Sequence, residues 1–380
     1  MDFISKKIKD ISYITIADIV GAGISAIFWF YVAFTLGPEI YGEISYFISI
    51  AGLISTLSLL GASNTIIVYT AKNVRIQSTI YLLALSIGTI ASLIVFFIFY
   101  NFGASFLILG YIIFALIIAQ VLGKKIFLKY SKYVLTQRIL MVVLSIGLYH
   151  IIGEEGILIG IPLSFTPYLW EFIKTFRISE INFNLLNQKR NFIINSYLQS
   201  LSGALSGSLD KLIIAPLFGF AILGNYSLGL QFLSLLTLIP IAVSRYLVPQ
   251  DSTGNENKKI KKIIILFSVI VSILGITIGP LVISTLFSKF SVAENVIRIV
   301  SISVIPSTIS MTYQTKFIGM EKSRLVLFSS LCWTVSQIFG IIILGNLFGV
   351  EGIALSLVIG TTAAATYSFF ANKKLINEKK

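Results

Sequence analysis

The sequence predicts an all-α, polytopic membrane protein with about 12 transmembrane helices in two six-helix bundles around a central cavity. Three observations carry this expectation. The first is composition: 56% of the 380 residues are hydrophobic, only 12% are charged, and the mean hydropathy is +0.92. A soluble domain carries about twice that charged fraction. The second is the placement of basic residues along the chain. The third is an internal repeat relating the first half to the second.

A spanning helix needs about 20 mostly apolar residues. Cutting the chain at charge clusters and Gly/Pro turns leaves candidates at 13–36, 45–70, 78–100, 103–123, 135–152, 156–175, 193–216, 221–247, 262–287, 293–317, 325–346 and 350–371. Before the first lies MDFISKKIKD, too polar for a signal peptide. Phe3, Ile4, Ile8 and Ile11 fall near one helical face with lysines on another, so 1–12 reads as an interfacial amphipathic helix. Residues 13–175 form an expected N-terminal six-helix bundle, 176–192 a cytoplasmic linker, 193–371 a C-terminal six-helix bundle, and 372–380 a basic cytoplasmic tail. Pro162, Pro167, Pro240, Pro280 and Pro306 lie inside spans, where neighbouring helices or cavity water can satisfy the freed carbonyls.

Orientation follows from charge. With both termini in the cytoplasm, 26 of the 29 Lys and Arg residues fall in inner segments, Lys289 and Arg298 fall outside, and Lys211 lies within a span. Glu39, Glu43, Glu154, Glu155, Glu294 and Glu351 sit on the outer side. This is the distribution expected of a plasma-membrane protein with twelve spans. It also accounts for the net charge of +13 without nucleic acid.

The halves repeat. LGPEIYGEIS (Leu36 to Ser45) aligns with FGFAILGNYS (Phe218 to Ser227), pairing Gly37, Gly42 and Ser45 with Gly219, Gly224 and Ser227. Before the sixth and twelfth spans, G-x-E-G-I recurs at Gly153–Ile157 and Gly349–Ile353. Six spans per half give both halves one orientation, which implies a two-fold axis along the membrane normal.

LGPEIYGEISYFISIAGLISTLSLLGASNTII (Leu36 to Ile67) resembles the early region of polysaccharide flippases. GALSGSLDKLIIAPLFGFAILGNYSLGLQF (Gly203 to Phe232), with its Asp-Lys followed by Gly-x-Tyr, resembles the start of their second half. These are Wzx-type transporters of the multidrug/oligosaccharidyl-lipid/polysaccharide exporter superfamily. The resemblance implies twelve spans in two bundles and movement of an undecaprenyl- or dolichyl-linked oligosaccharide from the cytoplasmic to the outer face.

Ionisable residues inside spans cost about 2.5–3.5 kcal/mol on insertion scales, which makes each a functional candidate. Asp18 is one ion-coupling candidate, or else a charge reaching the inner interface near Lys9. Asp210 is the other, or else half of a local charge pair with Lys211 that fixes packing. Lys211, Arg138, Arg245 and Gln199 are the substrate-binding candidates. The arginines and the lysine would attract a pyrophosphate headgroup, and Gln199 lies on an unusually polar span. Arg138, Arg245 and Lys316 read equally as topology anchors. Gly203 and Gly207 form G-x-x-x-G and read as a close-packing motif. Glu171 reads as an i,i+3 partner of Lys174. His150 reads as interfacial, and the sequon Asn225-Tyr226-Ser227 is discounted because it abuts a span.

Enzyme classes fit poorly. There is no G-x-x-x-x-G-K-[ST] for an ATP motor, no acidic cluster for a metal-dependent transferase, and one cysteine and one histidine for any metal site. No cofactor or catalytic residue is expected. The expected partners are a polyprenyl-linked glycan, membrane lipids and H⁺ or Na⁺ as coupling ion, with the chain acting as a monomer. Two alternatives remain: an organic-cation antiporter, which the shortage of cavity acids disfavours, and a glycan polymerase or ligase, which would carry a large outer loop.

Overall fold

The computed structural model describes the backbone of residues 2–176, 180–252 and 257–377, and the side chains over those ranges except at 2–12, 199, 202, 205–206, 249, 252 and 376. Arg177, Lys379 and Lys380 lie outside the described residues, as do the side chains of Lys6, Lys7 and Lys9. The described residues are helical with no strand. That is the outcome lipid demands, since a helix satisfies every backbone polar group within its own segment.

In chain order the helices are α1 (Asp2–Leu36), α2 (Pro38–Leu59), α3 (Ala62–Ala71), α4 (Gln77–Phe99), α5 (Phe102–Gly123), α6 (Phe127–Ile152), α7 (Glu155–Leu163), α8 (Tyr168–Phe176) and α9 (Phe183–Gln188). They continue as α10 (Arg190–Phe218), α11 (Phe220–Leu236), α12 (Leu238–Ser252), α13 (Lys258–Leu286), a 3₁₀ turn at Ser288–Phe290, α14 (Ala293–Ile302), α15 (Val304–Gly319) and α16 (Ser323–Asn377). Eight of these segments are long and apolar enough to cross a membrane, and the bent pairs α7–α8 and α11–α12 raise the number to ten among the described residues. The 55-residue α16 is two helices meeting at Gly349, where φ is 60° and ψ is −137°. The 29-residue α10 is more polar than these segments. Large apolar side chains such as Ile27, Phe97 and Leu281 are 73%, 66% and 64% exposed, which suits lipid and not water.

The polar lead and the first span form one continuous helix. The span expected at 45–70 instead starts at Pro38 and breaks at Leu60–Gly61, both with positive φ. The cause is close approach: a Cβ at Gly61 would lie 2.5 Å from the Tyr197 backbone nitrogen of α10. Helix starts are marked by side-chain caps where sequence supplies them. Asn101 accepts from the Ala104 N–H at 2.9 Å and Asn182 from the Leu185 N–H at 2.9 Å.

By contacts the chain forms two compact units: residues 1–29 with 47–208, and residues 30–46 with 209–380. Helices in lipid gain little from the hydrophobic effect on meeting, so packing rests on small residues and buried hydrogen bonds. In the first unit Gly123 lets α5 approach α3, its Cβ position lying 2.9 Å from the Ile67 carbonyl. Tyr81 stacks on Phe172 with centroids 4.9 Å apart and donates to Gln120 Oε1 at 2.9 Å. Residues 180–192 pack on this same unit: the Asn182 N–H donates to Thr79 Oγ1 at 2.8 Å, and Phe192 meets Tyr69 edge-on.

In the second unit the turn from α1 to α2 is held by a cluster of Phe30, Phe232 and Phe287, with Phe30 5.0 and 5.8 Å from the other two rings. Lys289, one of two basic residues expected outside, donates to the Thr35 carbonyl at 2.8 Å and so caps the C-terminal end of α1.

The repeat is structural. Gly37 and Gly219 have φ of 91° and 88°, and Gly153 and Gly349 have φ of 77° and 60°. Only glycine takes this region freely, so each pair marks the same sharp entry into a helix. Gly156 and Gly352 each bring a new helix onto the one before, against the Leu148 and Leu344 carbonyls respectively.

Candidate functional site

In the first unit α6 carries Tyr130 and Arg138 about two turns apart, and α1 carries Asp18 and Gly21 one turn apart. The Tyr130 hydroxyl donates to Asp18 Oδ1 at 2.8 Å. The Arg138 guanidinium interacts electrostatically with Asp18, Tyr111 and Tyr130. Gly21 makes room for the arginine stem, the Arg138 Cγ lying 3.5 Å from its Cβ position. The Ser131 hydroxyl donates to the Tyr13 carbonyl and holds the two helices together below the cluster. Asp18 is therefore bound to α6 beside a cation. Chemically the cluster can hold an anion near Arg138 or a proton on Asp18.

In the second unit Asp210 on α10 accepts from the Lys211 backbone N–H at 2.8 Å and from the Tyr226 hydroxyl at 3.1 Å. Gln337 on α16 donates to that hydroxyl at 3.1 Å. Tyr226 and Gln337 are buried, so the chain Gln337–Tyr226–Asp210 fixes the carboxylate from two neighbouring helices. Among the described residues no ion pair joins the Asp210 carboxylate to the Lys211 ammonium. Adjacent side chains on a helix point about 100° apart, so the backbone N–H of Lys211 makes the hydrogen bond to Asp210 and its ammonium acts on the carboxylate at longer range.

Arg245 lies exposed on α12. Of the four substrate-binding candidates, Arg138 and Gln199 belong to the first unit and Lys211 and Arg245 to the second. Gln199 is on α10, and its side chain lies outside the described residues. Asp18 and Asp210 likewise fall in different units.

Three local expectations change. Glu171 pairs with Lys129 across helices at 2.6 Å, because α8 lays it against the first turn of α6; Lys174 acts on it only at longer range. Gly203 and Gly207 are exposed with nothing within 4 Å of their Cβ positions, so this G-x-x-x-G is an open face and not a packing seam. The Asn225 side chain is buried and donates to the Ala221 carbonyl at 2.8 Å, which removes the sequon from reach.

Sequence reasoning missed a second buried cluster. Asp251 and Lys261, with side chains 2% and 11% exposed, pair at 2.8 Å, and Thr315 Oγ1 donates to the same Asp251 oxygen at 2.9 Å. Lys261 reads as one more inner lysine until α12, α13 and α15 are folded together. Tyr226 and Gln337 were hidden for the same reason: they are 111 positions apart.

Residues 8–146 match the family model described as "Polysaccharide biosynthesis protein", a stretch that contains Asp18, Tyr130 and Arg138. No curated protein matches this sequence. Among solved structures, the lipid II flippase MurJ in an inward closed conformation aligns with a TM-score of 0.75 at 14% identity, covering 95% of this chain and 87% of that one. An inward-facing multidrug resistance MATE transporter of the MOP superfamily aligns with a TM-score of 0.71 at 14% identity, covering 97% and 98%. A MOP superfamily transporter from Pyrococcus furiosus, described as having a binding pocket of reverse polarity, aligns with a TM-score of 0.63 at 16% identity, covering 98% and 96%. The chain is a multi-pass membrane protein with the fold of the MOP superfamily, and its first part is similar to polysaccharide biosynthesis proteins.

Proposed function

We propose that this protein flips a lipid-linked oligosaccharide from the cytoplasmic to the outer face of the plasma membrane by alternating access, with both termini in the cytoplasm. The observation that carries the reading is the polysaccharide-biosynthesis match over 8–146, the stretch that builds the Asp18–Tyr130–Arg138 cluster. Arg138 binds the diphosphate through its planar fork, with Lys211, Arg245 and Gln199 meeting the headgroup elsewhere along its path. Asp18 and Asp210 carry the coupling ion, H⁺ or Na⁺, and act through the groups bonded to them. The open positions of Gly203 and Gly207 on α10 support a hydrated passage and not a packing seam. The organic-cation alternative is weaker because both intramembrane carboxylates already accept hydrogen bonds from tyrosines. The chain acts as a monomer, and no catalytic step is assigned to it.

The test is translocation in proteoliposomes. A polyprenyl diphosphate-linked oligosaccharide placed in one leaflet should become accessible to a lectin on the other side only when the protein is present. Arg138→Ala should reconstitute normally and abolish this flux. Efflux of an organic cation with no movement of the glycan lipid would replace the reading with the antiporter.

A further inference from the structure

Helices α11, α15 and α16 of the second unit line an open pocket of about 430 Å³. That lies within the size range of small-molecule sites, about 300–1,000 Å³. Its wall includes Ser307, Ser310, Gln314, Ser329, Thr361 and Trp333, and no charged side chain lines it.

The hydrogen bonding of the wall is one-sided. Ser307 donates to the Val304 carbonyl at 2.9 Å and Thr361 to the Leu357 carbonyl at 2.9 Å, the usual back-bonding of helical hydroxyls. Gln314 spends its amide N–H groups on Ser310 and Ser329, at 3.2 and 3.3 Å. What remains toward the cavity is a set of oxygen lone pairs. The exception is Trp333: its Nε1–H is buried with no hydrogen-bond partner among the described residues. A buried indole N–H ordinarily finds an acceptor, and leaving it without one costs about 1–3 kcal/mol. Gly360 lies against the indole, its Cβ position 3.0 Å from Trp333 Cδ1, the carbon bonded to that nitrogen.

A ligand matching this wall is uncharged, rich in hydroxyl donors, and apolar enough on one face to lie on an aromatic ring. A diphosphate fails because it has no donors and finds no cation here. An organic cation fails because no carboxylate lines the wall. We propose that this cavity is a binding subsite for a neutral sugar residue of the transported glycan, with Trp333 its central contact. The proposal rests on the flippase reading and adds where the sugar sits. The subsite also adjoins the buried carboxylate: Gln337 is one turn from Trp333 on α16, the Gly360 Cβ position is 3.2 Å from its Cβ, and it bonds Tyr226, which bonds Asp210.

The chain has three tryptophans, so Trp29→Phe/Trp170→Phe leaves Trp333 as the only indole. This variant, checked for monodispersity and reconstituted in nanodiscs, is titrated with free glucose, galactose, N-acetylglucosamine and N-acetylgalactosamine, then with inorganic pyrophosphate and tetraphenylphosphonium. A saturable change in Trp333 emission is expected with at least one sugar and with neither ion. Gln314→Leu should weaken that response about ten-fold, the effect of one lost polar contact. For a variant that does not fold, the same titration is read on wild-type protein as the difference from Trp333→Phe. Failure of every sugar to alter the emission, a response to either ion, or a response unaffected by Gln314→Leu overturns the subsite. Glycan-lipid translocation by wild-type protein is measured in parallel. Flux without a sugar response defeats the subsite alone, while a sugar response without flux defeats the flippase reading alone.

Discussion

Gly42 and Gly224 face each other without side chains, and each lies against the backbone where the other's helix begins. A Cβ at 42 would strike the Phe220 carbonyl and stand 2.7 Å from the Gly224 nitrogen; a Cβ at 224 would strike the Pro38 carbonyl. Pro38 and Phe220 are themselves equivalent in the repeat, as are Gly42 and Gly224. The contact is therefore reciprocal, the self-complementary geometry that a two-fold relation produces. It belongs to the second unit, which includes residues 30–46.

Alanine at either glycine should separate α2 from α11. Backbone is met on both sides and cannot rotate aside, so the loss should be about 1–3 kcal/mol for Gly42→Ala or Gly224→Ala. Thermal melting of the purified protein reads this. Unchanged melting in both variants would contradict the close approach.

The Asp251–Lys261 pair should be costly to break and cheap to replace. Lys261→Met leaves a buried carboxylate beside Thr315 and should destabilise by about 3–5 kcal/mol, whereas Asp251→Leu/Lys261→Met together should recover most of the loss. A double-mutant cycle on melting measures the coupling. Equal melting for single and double variants would mean the pair is solvated.

Lys211→Ala should leave abundance unchanged and abolish glycan export, because the ammonium makes no ion pair with Asp210 and its removal strands no buried carboxylate. Lys211→Arg should keep part of the activity, since charge persists while a planar fork replaces a point charge. Tyr226→Phe removes a donor to Asp210 and should shift the ion dependence of transport. A fully active, well-expressed Lys211→Ala takes this residue off the substrate path.

Reporter fusions after Lys380 should read cytoplasmic and fusions near Glu154 external, as the proposed orientation, with 26 of 29 basic residues expected inside, requires. An external signal at Lys380 would break the twelve-span arrangement.

Apolar runs and charge clusters made the helices and the multi-pass character legible. The repeat paired Gly37 with Gly219 and Gly153 with Gly349, and the fold gives each pair matching positive φ. The polar sites were legible only as single residues. Asp18 and Asp210 stand out because an acid in an apolar run is expensive wherever it ends up. Their partners do not stand out, because tyrosine and glutamine are unremarkable until a fold sets them 2.8 to 3.1 Å from a carboxylate.

The sequence by itself determined an all-helical membrane chain, its twelve apolar runs, its charge asymmetry and its two-fold repeat, since each depends on transfer free energies or on neighbours within a helical turn. Tertiary structure alone decided that residues 30–46 join the second unit, that Glu171 pairs with Lys129 and not Lys174, that Asp251 and Lys261 are buried together, and that Trp333 borders a cavity with its N–H unpaired. The physical reason is range. Hydropathy and helical periodicity act within one helix, whereas a side-chain hydrogen bond or a void needs several helices placed to within an ångström. In lipid those placements come from small residues and specific polar contacts, not from a hydrophobic pattern that any apolar run would supply.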